Sequence, residues 1–293
     1  TPALSSAASD VYKRQAVHKC ENNSGPYCAA PVNIHRIDWM WANKAVFDAN
    51  GISVPTTWDE VNAAAEKLKA AGIIPFAHGG QAWQDATVFE AVAMGIGGNN
   101  YYKNCYVDLK ESCLRSETTV KVFDQMRKLQ SYTDEGSPGR DWNVATGMVI
   151  EGKAGFQIMG DWAKGEFTAA GKVPGVDYYC APTPSNNGYL YNVDSFIFYK
   201  TSDPEKQEGQ KLLAKLMMGK NFQKVFNLYK GSIPARLDVP MDEFDKCAKT
   251  SNSDIKTAGA SGGLVPSFAH GMAQGNTMKA ALQDIITEHF NSD

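Results

Sequence analysis

The stretch RDWNVATGMVIEGKAGFQIMGDWAKGEF, residues 140–167, decides the predicted fold class of this chain. Residues 148–151 have the pattern of a helix end, and residues 152–153 (Gly-Lys) form a polar turn. Residues 154–159 are an apolar run of strand length. A helix, a tight turn and a short apolar strand in this order are typical of an α/β protein.

The end of the stretch places a tryptophan at the mouth of a turn. Gly160 stops the strand, and Asp161 is suited to cap the next helix by accepting a backbone N–H bond. Trp162 is then predicted to follow the carboxyl end of a strand, where open α/β sheets bind ligands. From this segment alone a core tryptophan is the simpler interpretation. The polar neighbours Asp161 and Lys164, and the room left by Gly160, favour instead an aromatic face exposed to a ligand such as a sugar ring.

The same stretch nearly matches a phosphate-binding loop, G-x-x-x-x-G-K-[ST]. Gly147, Gly152 and Lys153 fit, but Ala154 occupies the position of the hydroxyl that holds magnesium. The spacer is apolar and helical, so the sequence does not predict a nucleotide site.

Composition excludes several classes of function. The 293 residues are 43% hydrophobic and 21% charged, with 29 basic against 32 acidic residues and a net charge of −3. The chain has no basic blocks for nucleic acid, no apolar run of membrane-span length and no secretory apolar segment at its start. The five histidines are scattered without a metal-binding motif, and no catalytic triad is visible. We therefore expect no metal, no cofactor and no catalytic residue.

The six cysteines favour an exported protein. Cys20 and Cys28 bracket one short loop and Cys105 and Cys113 another, whereas two further cysteines stand apart. The spacings fit no zinc site, and three disulfides are predicted for an oxidising compartment. Six unpaired thiols are the alternative.

Helices and strands alternate along the chain. Helices are predicted over residues 58–71, 86–94, 116–132, 204–218 and 220–228, the first of them with a capping box from Thr57 and Glu60. Strands are predicted over 31–42, 73–77, 154–159, 176–181 and 189–199.

Polar residues in two places suggest a binding site. The loop HGGQAWQD, residues 78–85, follows a strand and combines amides, a carboxylate and the indole of Trp83, all suited to sugar hydroxyls. A capped helix start is an equally good interpretation. Asp194 interrupts an apolar strand, and a carboxylate buried there without a partner would cost several kcal/mol. We expect it to meet a ligand or to cap a bend. Lys230 at a helix end and His270 have ordinary structural explanations as well.

With these segments in place, the sequence resembles the family 1 extracellular solute-binding proteins of bacterial ABC importers. The segments that carry the resemblance are PTTWDE, HGGQAWQDATVFE, GDWAKGEFTAAGK, YNVDSF, FQKVFNLYKGSIPAR and PSFAHGMA. Together they are most similar to the glucose- and mannose-binding members. The match begins near residue 31, and the family's first strands and helices have no counterpart in the chain.

The resemblance implies a two-lobe α/β protein of type II, truncated in its N-terminal lobe. Residues 1–30 would be a poorly ordered lead-in, and 31–175 the first part of the C-terminal lobe. Residues 176–238 would return to the N-terminal lobe through the hinge, and 239–293 would complete the C-terminal lobe.

The resemblance also implies a function and its residues. Trp162 and His270 would flank a bound pyranose, Asp194 and Lys230 would hydrogen-bond its hydroxyls, and Trp83 would line the cleft. The protein would be a monomer in the periplasm, with its signal peptide absent from this chain, and it would pass a monosaccharide to ABC permease subunits.

Two further expectations accompany this interpretation. Cys180 and Cys247 lie beside the two crossings between lobes and are predicted to pair. A glycoside hydrolase is the alternative function, but it needs two carboxyl groups that flank one bond, and only Asp194 is a convincing candidate.

Overall fold

The computed structural model describes residues 28–185 and 187–292. The α-helices are α1 (Lys44–Ala49), α2 (Trp58–Ala70), α3 (Ala82–Tyr102), α4 (Glu111–Leu114), α5 (Glu117–Gln130), α6 (Trp142–Ile150), α7 (Ala163–Ala169), α8 (Pro204–Met217), α9 (Lys220–Lys230), α10 (Lys246–Ser261) and α11 (Asn276–Asn291). A π-helical turn, Lys103–Val107, follows α3. The strands are β1 (Ala29–Pro31), β2 (His35–Arg36), β3 (Trp39–Asn43), β4 (Ile74–Phe76), β5 (Ala154–Ile158), β6 (Tyr178–Pro182), β7 (Tyr189–Asn192), β8 (Ser195–Ile197) and β9 (Leu264–Pro266).

The largest sheet has the strand order β4-β5-β3-β6. β4 pairs parallel to β5, whereas β3 is antiparallel to both of its neighbours. The largest cluster of buried apolar side chains lies between this sheet and helices α2, α3, α5 and α11. A second cluster packs β3 and β5 against α6 and α7. The predicted mixed α/β class is confirmed.

Two small sheets carry the remaining strands. β7 lies between β2, which is antiparallel to it, and β9, which is parallel. β1 and β8 form a separate antiparallel pair. Two predicted long strands are therefore wrong. The run at 31–42 divides into β1, β2 and β3, and the run at 189–199 breaks at Val193 and Asp194, because each piece pairs with a different sheet.

Most helices begin where the sequence predicted. The capping box of α2 is present, with Thr57 Oγ1 accepting from the Glu60 amide and the Glu60 carboxylate accepting in return. α3 starts four residues earlier than predicted, so Trp83 and Asp85 lie in its first turn and not in a loop.

Two disulfides join described residues. Cys105 bonds Cys113, and Cys180 in β6 bonds Cys247 in α10. Both predicted pairs are confirmed. Cys28 is also disulfide-bonded, but Cys20, its predicted partner, lies outside the described residues.

The small β1–β8 sheet packs beside α8 and α9 over a small cluster that holds three buried apolar residues among those the structure describes. These two helices expose large apolar side chains, among them Leu212 (60% exposed), Leu216 (62%) and Tyr229 (79%). They line a groove of about 950 Å³, which we call the α8–α9 groove. Among the described residues, no helix is both long and apolar enough to cross a membrane.

Candidate functional site

The turn between β5 and α7 places Trp162 beside the cleft described below. Its indole is half-buried and contacts both large apolar clusters. A β-carbon at Gly160 would lie 2.2 Å from Cζ3 of this indole, closer than atoms can approach. The room left by Gly160 is thus filled by the tryptophan itself, and not by an approaching ligand as the sequence suggested.

Asp161 does not cap α7, so that prediction is wrong. No side chain caps this helix, and the Asp161 residue is 3% exposed. One of its carboxylate oxygens accepts from the Arg36 amide at 3.0 Å, and the other pairs with Nδ1 of His35. The carboxylate is therefore used to fix the turn to β2, which leaves none of it for the helix end.

Three aromatic rings meet at one side of the cleft. The centroids of Trp162 and His270 lie 5.1 Å apart in an edge-to-face contact. Trp83 lies 6.4 Å from Trp162 and 6.0 Å from His270. The indole N–H of Trp83 donates to Gln81 Oε1 at 2.7 Å, and Nε2 of His270 contacts Thr87 Oγ1 at 3.1 Å. These bonds hold both rings in place.

The contact between Trp162 and His270 has a consequence for any bound ring. A sugar sandwiched between two faces needs about twice the ~4 Å contact distance between apolar groups. The observed 5.1 Å leaves no such space. A pyranose would have to lie against the exposed surface of the pair, and the binding role of the two rings stays a prediction.

Asp194 lies between β7 and β8 and keeps 40% of its side chain exposed. Its Oδ2 accepts from Asn33 Nδ2 at 2.9 Å and lies 3.0 Å from His35 Nε2, while Oδ1 accepts from Asn192 Nδ2 at 3.1 Å. Its backbone N–H also donates to Asn33 Oδ1 at 2.8 Å. A partly open carboxylate held by this many donors can accept further hydrogen bonds, and its role toward ligand hydroxyls stays a prediction.

Lys230 is the last residue of α9 and faces the same carboxylate. Its Nζ lies 3.8 Å from Asp194 Oδ2, and its side chain is 41% exposed. Gly231 ends the helix in the left-handed conformation, which glycine adopts readily. An ion pair this open contributes about 0–1 kcal/mol to stability, so stability alone does not explain it.

The electrostatics of the cleft centre on His35. Burial alone would lower its pKa, but the charges and hydrogen bonds of Asp161 and Asp194 raise it to about 9. Burial likewise would raise the pKa of the Asp194 carboxyl. The hydrogen bond and charge of His35, with Asn33 and Lys230, outweigh burial and hold this pKa well below its usual range. Burial, and then the positive charge of His35, lowers the pKa of His270 to about 3. At pH 7 the structure thus presents a charged His35, an ionised Asp194 and a neutral His270.

All five residues singled out in the sequence line one cleft of about 610 Å³. They are Trp83, Trp162, Asp194, Lys230 and His270. The cleft also contains His35 and Trp142, which sequence reasoning did not assign to a site. The signal for His35 was its position, with Asn33 and Arg36, as a polar residue inside a strand-like run. Among the described residues, no group of acidic, histidine or cysteine side chains could hold a metal ion.

The sequence also matches a known protein family. The model of the bacterial extracellular solute-binding proteins matches residues 4–217, which is more than half of the chain. The match therefore begins earlier than residue 31, where the sequence analysis expected it to begin. The chain belongs to this family.

Two relatives of this solute-binding protein are named as sugar-binding proteins. It is 48% identical over 268 residues to a probable sugar-binding periplasmic protein of Brucella suis, with 91% of the chain and 63% of the relative covered. It is 45% identical over 279 residues to a protein of the same name from Rhizobium meliloti, with 95% and 67% covered. The chain thus spans about two thirds of the length of these relatives, whose names are those of binding proteins and not of enzymes.

A solved structure supports the fold. The bacterial solute receptor AcbH, described as preferring β-D-galactopyranose, superposes with a TM-score of 0.77 at 20% identity, covering 97% of this chain and 74% of the receptor. This solute-binding protein therefore has the mixed α/β fold of the two-lobe periplasmic sugar-binding proteins.

Proposed function

We propose that this protein is the substrate-binding component of an ABC sugar importer. It binds a monosaccharide of the glucose or mannose type in the cleft and delivers it to the membrane permease from the periplasm. The observation that carries the proposal is the meeting of three aromatic rings with the Asp194–Lys230 pair in one cleft.

This combination of groups matches the chemistry of a pyranose. The C–H faces of the ring are apolar and pack on aromatic surfaces, here those of Trp162, Trp83 and His270. The hydroxyls at the rim both donate and accept hydrogen bonds. Asp194 accepts from them, and Lys230 donates to them. The names of the Brucella and Rhizobium relatives support a sugar as the ligand.

In this proposal two lobes enclose the sugar. Residues 31–175 and 239–293 build the C-terminal lobe, 176–238 return to the N-terminal lobe, and 1–30 lead in. The pairing of β6 with β3 supports a crossing after Pro182, later than residue 175. The pairing of β1 with β8 supports assigning residues 29–31 to the returning segment.

The test is calorimetric titration of the 293-residue chain with D-glucose, D-mannose, D-galactose and maltose. A second chain carries the first third of the Brucella relative fused ahead of residue 31. We expect saturable binding of glucose or mannose, tighter in the fused chain, because hinge closure needs contacts to both lobes. If neither chain binds any of the four sugars, the proposal is wrong.

The same preparations separate binding from hydrolysis. Incubation with aryl glucosides and aryl mannosides should release no phenol, because a glycosidase needs a matched pair of carboxyl groups flanking one bond. Steady release at a rate proportional to protein concentration would favour the glycoside hydrolase.

A further inference from the structure

His35 occupies a position that neither the aromatic rings nor the ion pair explains. We infer that His35 is a positioning residue. Its ring contacts both the β5–α7 turn, which carries Trp162, and Asp194, and so holds these two sides of the cleft in a fixed position relative to each other. This inference rests on the proposed function, because it assigns a role in sugar binding to a residue that is itself only 1% exposed.

Both ring nitrogens of His35 face a carboxylate. Nδ1 pairs with Asp161, which immediately precedes Trp162, and Nε2 lies 3.0 Å from Oδ2 of Asp194. The ring also makes an edge-to-face contact with Trp162, at 5.2 Å and 85°. The His35 side chain therefore contacts the Trp162 ring, the Asp161 carboxylate that fixes the Trp162 turn, and Asp194, the predicted acceptor of sugar hydroxyls.

Donation to both carboxylates needs a doubly protonated ring. A neutral imidazole has one N–H and can donate to one carboxylate only, whereas the imidazolium donates to both. Asn33 Nδ2 lies 2.8 Å from Nε2 of His35 and 2.9 Å from Asp194 Oδ2, and its two N–H groups also permit a second arrangement, in which a neutral ring accepts from Asn33. The pKa of about 9 agrees with a ring that stays charged through neutral pH.

The titratable groups around the ring lie on four segments. Asp161 lies on the β5–α7 turn and Asp194 between β7 and β8. Lys230, at the end of α9, lies 3.8 Å from Asp194 Oδ2, and His270 follows β9. The positive charge of His35 contributes to the low pKa of His270. Loss of one His35 proton would therefore leave the ring donating to only one of these two carboxylates.

The first measurement needs no sugar. We would follow the histidine ring signals of the 293-residue chain by NMR from pH 5 to pH 11, assigning His35 as the signal missing from His35→Gln. We expect His35 to titrate near pH 9 and to shift to lower pH in Asp194→Asn, because the variant removes one of its two negative partners. His289→Gln, on α11 and outside the cleft, is the matched control and should leave the His35 titration unchanged. A His35 signal that titrates near its unperturbed pKa of about 6.5 would overturn the inference.

The second measurement uses D-glucose and D-mannose at pH 7.5 and pH 10. We expect His35→Gln and His35→Phe each to weaken binding about tenfold or more at pH 7.5. When either His35 substitution is combined with Asp194→Asn, binding should weaken little further, because both changes act through the same Asp194 acceptor. Binding by the parent should weaken from pH 7.5 to pH 10, where the ring is neutral, by a larger factor than binding by the His35→Gln variant.

The outcomes separate the inference from the proposed function. If the parent binds neither sugar, the proposed function is wrong for this chain, and the NMR titration still decides whether His35 joins the two walls. If the parent binds sugar while His35→Gln binds equally well and is folded by circular dichroism, His35 has no positioning role. Full additivity of the two substitutions would contradict it as well.

Discussion

Gly231 lies so close to Asp161 that a β-carbon at position 231 would be 2.5 Å from the Asp161 carbonyl oxygen. This contact presses the end of α9, with Lys230, against the turn that carries Trp162. Gly231 also has a φ of +93°, a region that residues with a side chain rarely adopt. The placement of Lys230 therefore depends on the absence of a side chain at the next position.

Gly231→Ala should destabilise the protein by about 1–3 kcal/mol, because the new methyl group meets backbone and the φ is strained. Urea unfolding would measure this as a lower midpoint. Gly209→Ala is the matched control, since Gly209 lies inside α8 with nothing within 4 Å of an added Cβ, and it should stabilise by about 0.5–1 kcal/mol. Equal effects at both sites would contradict the close contact.

Trp162→Ala should weaken sugar binding by about 1–3 kcal/mol, or roughly 5- to 150-fold, because a stacking surface is lost. Since the indole also packs on both apolar clusters, we expect a lower unfolding temperature too. Trp162→Phe should recover part of the lost affinity and part of the lost stability. A large loss of stability with unchanged affinity would identify Trp162 as a core residue only.

Local patterns in the sequence predicted the pieces of this site but not their connections. Trp162, Lys230 and the cap of α2 follow from turns, glycines and capping residues that are neighbours in the chain. The partners of Asp161 and Asp194 do not. His35 is 126 residues from Asp161 and 159 from Asp194, and no periodicity encodes a contact at that separation. The Asp161 error has the same cause, because a distant strand competed for the carboxylate that the helix end could have used.

Strand pairing explains the other errors. Residues 189–199 are apolar enough for one long strand, and only the partners β2, β9 and β1 show that the chain must bend at Asp194. β-propensity reflects packing against neighbours, and these neighbours come from distant parts of the sequence.

Asp194→Asn should lower the affinity for glucose and gain little for deoxy sugars. An amide replaces the charged acceptor and accepts a weaker hydrogen bond from a sugar hydroxyl, so the variant should also discriminate less against sugars that lack this hydroxyl. Titration of glucose and its deoxy analogues with parent and variant would measure this. Binding of all of them as tightly as by the parent would make Asp194 only the bend between β7 and β8.

Removing the Cys180–Cys247 bond by two serine substitutions should cost ~4 kcal/mol, because it joins residues 67 apart in sequence. The corresponding change at Cys105 and Cys113, 8 residues apart, should cost only about 2.5 kcal/mol in the same chain-entropy description. Urea unfolding would compare the two. Mass spectrometry of a non-reduced digest should find the disulfide-linked Cys180–Cys247 peptide. Free thiols at both cysteines would contradict the prediction.

The α8–α9 groove allows a test of the proposed two-lobe arrangement. Leu216 is 62% exposed, so Leu216→Ser should change the stability of the 293-residue chain by less than about 0.5 kcal/mol. If the N-terminal lobe of the fused chain with the Brucella first third covers this groove, the same substitution should cost about 2–5 kcal/mol there. Leu68→Ser, at a fully buried position of the large core, is the control that should be costly in each chain. An equally small effect of Leu216→Ser in the two chains would mean that the groove stays open.

The packing of the Trp162 indole on Gly160 has an evolutionary consequence. Any side chain at 160 displaces the indole, so the glycine is needed only while a large aromatic ring occupies position 162. The two positions should therefore change together among homologues, with larger residues at 160 appearing where 162 is small. Homologues that bind the same ligand should keep both Gly160 and Trp162, whereas homologues with a different ligand could replace the two residues together.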